Sequence, residues 1–257
     1  WVPQLADSAA LLGLLGDVGR GRNRPVLVPS ERGLDAALTQ GVEAIAIFGS
    51  STETFARKNL NRGLDESIAM FVPVVERARQ EGLWVRAYLS MCFGDPWEGE
   101  VPVRQVVDVA SRLMDLGCDQ LSLGDTIGTG TTGHVHRLLD ALDAKGIGVD
   151  RIGVHFHDTY GQALANTLIA LQHGVTVVDA AAGGLGGCPY AESATVRLAS
   201  WTCCGSCTAS GSTLASTSPR WSRRAPGWPS SSAGPAPPAS SKPCRTRRRD
   251  ARHPTHR

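Results

Sequence analysis

Two rhythms alternate along the chain. Short aliphatic and β-branched runs, RPVLVPS (24–30), EAIAIFGS (43–50), LWVRAYLSM (83–91), DQLSLGDT (119–126), RIGVHFHD (151–158) and VTVVDAAAGG (175–184), each give way to a small or polar loop. Longer stretches between them carry apolar residues three and four apart, among them ERGLDAALTQG (31–41), LDESIAMFVPVVERARQEG (64–82), EVPVRQVVDVASRLMDLG (100–117) and GTTGHVHRLLDALDAKG (130–146). The first pattern predicts strands buried on both faces, the second amphipathic helices. Strands alternating with helices predict parallel β/α units. Six units at this spacing predict a (β/α)8 TIM barrel, an α/β fold, that is two units short of closure, with open edges at Val26–Val28 and Val175–Asp179.

In such a barrel the chemistry gathers where strands end at their carboxyl face. Those ends supply Ser30 and Glu31, Ser50 and Ser51, Tyr88 and Ser90, then Ser122, Asp125 and Thr126, then His155, His157 and Asp158, and finally Asp179 ahead of the glycine-rich GGLGGCPYA (183–191). His155 and His157 are one residue apart, so in an extended strand both imidazoles share a face. Such a pair suits a metal, and it equally suits a strand end satisfied by carbonyls or solvent. As ligands, two imidazoles disfavour Ca²⁺. They suit Mn²⁺, Co²⁺, Zn²⁺ or Fe²⁺, and tolerate Mg²⁺ where other oxygens complete an octahedron. Asp125 and Thr126 fit a cap on the next helix as well as a site, and the glycines fit a tight turn.

Three segments carry a resemblance. SLGDTIGTGTTG (122–133), VHFHDTYGQALANTLIALQHGVTVVDAAAGGLGGCPYA (154–191) and AIFGSSTETFARKNLN (46–61) closely resemble the 3-hydroxy-3-methylglutaryl-coenzyme A lyase family of TIM-barrel metallolyases, over residues 1 to about 200. The resemblance implies a metal-dependent cleavage of 3-hydroxy-3-methylglutaryl-CoA to acetyl-CoA and acetoacetate, the chemistry of leucine degradation. It implies that His155 and His157 ligate a divalent cation, Mg²⁺ or Mn²⁺. It makes Asp125 the first candidate to assist removal of the hydroxyl proton, with His155 as its partner, and Cys188 the acid that protonates the enolate. Tyr88, Ser122, Thr126 and Asn59 resemble substrate-pocket positions. An acyl-CoA substrate, no nucleic-acid or membrane partner, and a homodimer of the complete protein follow as expectations. A related aldol-type metallolyase, an acyl-CoA synthase of the same superfamily and a non-catalytic remnant are the alternatives, and GGLGGCPYA argues for the lyase.

The chain also departs from the family pattern. Met91 and Asp95 stand where the family often has cysteines, which argues against thiol regulation through that loop. Val196 and Arg197 stand where a Gly-Asn with a ligating asparagine is expected. Family members begin with a strand bearing an Arg-Asp-Gly-Leu-Gln-like motif, whereas this sequence opens at WVPQLAD. The reading therefore expects the first two strands to have been lost from the gene model, leaving two of four protein ligands and a poor lyase.

Charge changes the picture only at the end of the chain. The net charge is +2, yet residues 201–257 hold 10 of the 26 Lys and Arg and one of the 24 Asp and Glu. This Ser-, Pro- and Arg-rich tail has no helical or strand period and reads as disordered. Its codons suggest a cause: read one base out of frame, Trp201-Thr202 must give Asp and Cys203-Cys204 must give Leu, and the shifted frame continues as an amphipathic helix. A frameshift near Ser200 is the expectation, making the Cys204/Cys207 pair accidental and dividing the chain into a partial barrel (1–200) and a tail (201–257). With no run of about 18 apolar residues and no basic-then-apolar start, a cytoplasmic location is expected.

Overall fold

The computed structural model describes residues 7–19 and 21–181. Cys188, Val196, Arg197 and the whole tail lie outside the described residues. Six strands form one parallel sheet: β1 (Val26–Leu27), β2 (Ala44–Ser50), β3 (Trp84–Ser90), β6 (Gln120–Asp125), β7 (Ile152–Phe156) and β8 (Val177–Val178). A two-residue antiparallel hairpin, β4 (Gly94–Asp95) and β5 (Gly99–Glu100), sits in the loop after β3. The sheet order is β1-β2-β3-β6-β7-β8, so each strand lies beside its predecessor in sequence, as in a barrel wall. Among the described residues β1 and β8 pair on one side only, and Leu27 is half exposed at that edge.

Each helix follows from local chemistry. Helix α2 (Glu31–Thr39) starts where the Ser30 hydroxyl accepts from the Gly33 amide at 3.3 Å. Helix α4 (Leu64–Gln80) starts where Glu66 reaches back to the Gly63 amide at 3.1 Å. Helix α6 (Thr132–Ala144) is capped by Thr131, which accepts from the His134 amide. Such caps satisfy donors that the first helical turn leaves unpaired. Helix α5 (Val103–Asp115) buries Val106, Val109, Ala110 and Leu113 and turns its charged residues outward. Helix α1 (Ser8–Leu15) buries no residue. Two further helices, α3 (Glu53–Leu60) and α7 (Ala163–Gln172), complete the set.

One apolar core lies between the sheet and its helices, with Ile45, Ile47, Val85, Leu89, Leu121, Leu123, Val154 and Phe156 meeting Leu34, Phe71, Val75, Leu113 and Leu138. The strands therefore read apolar on the helix-facing side, and the opposite face is left for polar groups. Among the described residues no helix is long and apolar enough to cross a membrane.

Candidate active site

The inner face of the sheet carries a charged cluster where its apolar neighbours end. Alternation puts Arg86 and Tyr88 of β3, Ser122 of β6, and His155 of β7 on that face, and Asp179 follows β8. Tyr88 lies in register with Ser122, and Ser122 with Gly153. Because Gly153 carries no side chain, the Ser122 hydroxyl reaches across β7 and donates to Asp179 at 3.1 Å. A side chain at 153 would crowd Val177, whose Cγ1 stands 3.2 Å from the Cβ position.

Asp179 is the hub. Its Oδ1 accepts from Arg86 Nη1 at 3.1 Å, and its Oδ2 lies 3.3 Å from His155 Nδ1. Burial alone would raise this carboxyl, but the His155 hydrogen bond, the Arg86 charge and Ser122 together hold it below the ordinary aspartate value. It is therefore an anion at neutral pH, and it fixes His155 with Nδ1 as donor and Nε2 directed away. Tyr88 lies edge-on to the His155 ring at 6.1 Å and accepts from Arg86 Nη1 at 3.3 Å. Burial, then the Asp179 charge, raise its phenol, so it stays protonated. Tyr88, His155, Val178 and Asp179 line a cavity of about 400 Å³ that opens at this rim.

His157 is buried beside this cluster, its ring centre 5.4 Å from that of His155. With metal–nitrogen bonds of about 2.1 Å, two imidazoles on one cation place their ring centres roughly 5 Å apart. The spacing, the shared face and the carboxylate behind His155 all suit a divalent cation. His155 and His157 would hold it, and Asp179 would orient the first of them.

Asp125 is placed differently. Its carboxylate accepts from the Thr129 and Gly130 amides, both at 3.0 Å, on the sheet face opposite Ser122. No hydrogen bond or ion pair joins it to His155. The carboxylate on His155 is Asp179, which corrects the pairing expected from sequence. Burial pushes the Asp125 carboxyl up to about 6 despite the opposing amides. Asp125 thus holds the loop ahead of α6, whose cap is Thr131 and not Asp125.

The remaining sequence candidates are spread around the rim. Thr126 Oγ1 accepts from the Met91 amide at 2.9 Å, which ties the loop after β6 to the loop after β3. Asn59 lies half-buried on α3, and no interaction links it to the cluster. Asp158 accepts from the Ala163 amide at 2.9 Å and so starts α7. Ser50 bonds Thr52.

Asp95 is buried and accepts from the Thr52 hydroxyl (2.6 Å) and the Trp97 and Glu98 amides (2.7 and 2.9 Å), holding the hairpin over α3. Burial raises the thiols of Cys92 and Cys118 to about 12, which leaves both inert at neutral pH.

Arg86 is the functional residue that sequence reasoning misses. It sits mid-strand in an apolar run, and a buried guanidinium requires an anion. The available signal is the lone charge at an inward position of LWVRAYLSM.

The fold and this rim define a class: a β/α-barrel protein with paired histidines and a buried Arg–Asp pair where its strands end. The HMGL-like family model matches residues 17–195, and the chain belongs to that family. It is 46% identical over 199 residues to the mitochondrial hydroxymethylglutaryl-CoA lyase of Bos taurus, covering 77% of this chain and 61% of that protein. It is 49% identical over 201 residues to the cytoplasmic 3-hydroxy-3-methylglutaryl-CoA lyase of Danio rerio, covering 76% of this chain and 57% of that protein. Among solved structures, hydroxymethylglutaryl-CoA lyase from Pseudomonas aeruginosa superposes with a TM-score of 0.75 at 41% identity, covering 83% of this chain and 72% of that one. The chain thus spans about three fifths of the length of the two curated relatives.

Proposed function

We propose that this chain carries the metal-binding and substrate-orienting part of a 3-hydroxy-3-methylglutaryl-CoA lyase, which cleaves its substrate to acetyl-CoA and acetoacetate. The observation that carries the reading is His155 held by Asp179 beside His157 at one strand-end rim. A divalent cation held there, Mg²⁺ or Mn²⁺ by the family pattern, supplies a Lewis acid for the hydroxyl and carbonyl oxygens of the substrate.

The chain's own groups do the rest. Tyr88, kept protonated by burial and by its hydrogen bond to Asp179, lines the cavity, and the Arg86–Asp179 pair fixes His155 at its mouth. Cys188, in the glycine-flanked segment GLGGCPYA, is the proposed proton donor to the enolate carbon. Asp125 has a basicity suited to proton transfer near pH 6, but its oxygens face the amides of Thr129 and Gly130, so its proposed role is to shape the loop after β6. Relatives of both cytoplasmic and mitochondrial type match the chain, and the cytoplasm is the proposed location.

The test is acetoacetate release from 3-hydroxy-3-methylglutaryl-CoA with Mg²⁺ or Mn²⁺, run on the chain and on its His157→Ala and Cys188→Ala variants. The reading expects His157→Ala to lose metal affinity and turnover together. It expects Cys188→Ala to keep the metal and slow turnover. Loss of metal in Cys188→Ala with retention in His157→Ala overturns it.

A further inference from the structure

On the outer helical layer, α6 and α7 bring two more imidazoles together. His136 Nδ1 lies 2.5 Å from His173 Nε2, with ring centres 4.7 Å apart and planes at 61°. His136 is exposed on α6, and His173 is the half-buried residue that closes α7. Two ring nitrogens at this distance require one proton between them: two lone pairs repel, and two N–H groups clash.

The second nitrogen of His173 faces a carboxylate. Asp140 Oδ1 stands 3.8 Å from His173 Nδ1, a small rotation short of a hydrogen bond. Asp140 follows His136 by four residues on α6, so both face the same neighbour. A carboxylate beside Nδ1 favours the tautomer with its proton there and turns the Nε2 lone pair toward His136. A carboxylate, the histidine it orients and a second imidazole facing that histidine's free nitrogen are the parts of a transition-metal site.

We propose that His136 and His173 form a surface site for a borderline first-row divalent cation, Cu²⁺, Ni²⁺ or Zn²⁺, with Asp140 positioning His173. The cation replaces the proton shared by the two nitrogens. Bonds of about 2.0–2.1 Å to each nitrogen require the pair to open by under 1 Å, which rotation of the exposed His136 side chain allows. Water fills the remaining positions. Hard cations such as Mg²⁺ and Ca²⁺ prefer oxygen and are not expected here. The site is separate in sequence and chemistry from His155 and His157 and does not depend on the lyase reading. Bound metal would join α6 to α7, the helices flanking β7.

Cu²⁺ titration of the full chain, with accessible thiols alkylated, tests this by pulsed paramagnetic resonance, which reads coordinated imidazole nitrogen. A background with His134, His155, His157, His253 and His256 all replaced by alanine leaves His136 and His173 as the chain's two imidazoles. There the spectrum should show two imidazoles per bound Cu²⁺ at pH 7.5 and none at pH 5. His136→Gln and His173→Gln should each weaken binding at least tenfold and remove the two-imidazole signature, with the circular dichroism spectrum unchanged. Asp140→Asn should weaken binding several-fold and keep the signature. Unaltered two-imidazole signals in His136→Gln and His173→Gln, or no imidazole coordination at all in the background variant, would overturn the proposal.

Discussion

The two faces of the central sheet are built from the same strands and obey opposite rules. Toward the helices, Val85, Ala87, Leu89, Leu121, Leu123, Val154 and Phe156 are buried in one continuous apolar layer. Toward the inside, the intervening positions hold Arg86, Tyr88, Ser122 and His155, joined through Asp179. Parallel strands covered on both sides are normally apolar on both. A face that departs from this rule must satisfy every charge it buries, and here a single carboxylate answers three donors. One face is held by volume and the other by hydrogen-bond geometry, so the two should fail in different ways.

The largest effect is expected on the apolar face. Phe156→Ala removes a fully buried ring that packs against Phe93 and should cost about 3–5 kcal/mol by chemical denaturation, with no change in metal specificity. On the inner face, Arg86→Ala leaves Asp179 without its guanidinium and should cost about 3 kcal/mol near neutral pH. Arg86→Met combined with Asp179→Asn should recover part of that loss, because no buried charge is then left unpaired. Full additivity of the two changes in a double-mutant cycle would dissolve the contrast between the faces.

Asp125 sharpens the comparison through pH. Its folded-state value is raised from 3.8 to about 6, so its favourable contribution is complete below 3.8 and is lost as pH climbs through 6. Wild type should therefore lose up to about 3 kcal/mol relative to Asp125→Asn between pH 3.5 and pH 7, measured by urea unfolding of both. Asp179 is shifted the other way, and its contribution is present above the ordinary aspartate value and fades only in stronger acid.

A smaller change is expected at the proposed metal site. Asp179→Asn should weaken Mn²⁺ binding at the rim by about 10–100-fold while leaving His155 and His157 in place. Smallest is Tyr88→Phe, which removes one 3.3 Å hydrogen bond at a partly open rim and should cost about 1 kcal/mol or less.

Much of the architecture is legible in the sequence. The six apolar runs form the six strands of the sheet, and the four quoted amphipathic stretches form α2, α4, α5 and α6, because each is long and its period is clear. The rim residues are also legible as strand ends. What escapes is pairing across the fold. Asp179 and His155 are neighbours because β8 lies beside β7, a fact of register that no local pattern encodes. Adjacency of their strands suggests Asp125 as the partner of His155, yet Asp125 points to the other face, since a shift of one residue along a strand reverses the side chain. The β4–β5 hairpin leaves no sequence signal beyond Gly94 and Gly99. Asp95 holds it through side-chain bonds, and strand propensity plays no part.

The sequential order of the sheet carries a consequence for synthesis. Every ladder of the six-stranded sheet joins a strand to the preceding strand of that sheet, from 19 residues back for Val26 and Ile45 to 40 for Ala44 and Trp84. A chain leaving the ribosome amino end first can therefore dock each β/α unit as it appears, onto a surface that already exists. Among the described residues each inner strand of the sheet gains its second neighbour within one further β/α unit, so the interval in which its edge meets other nascent chains is set by the translation time of that unit.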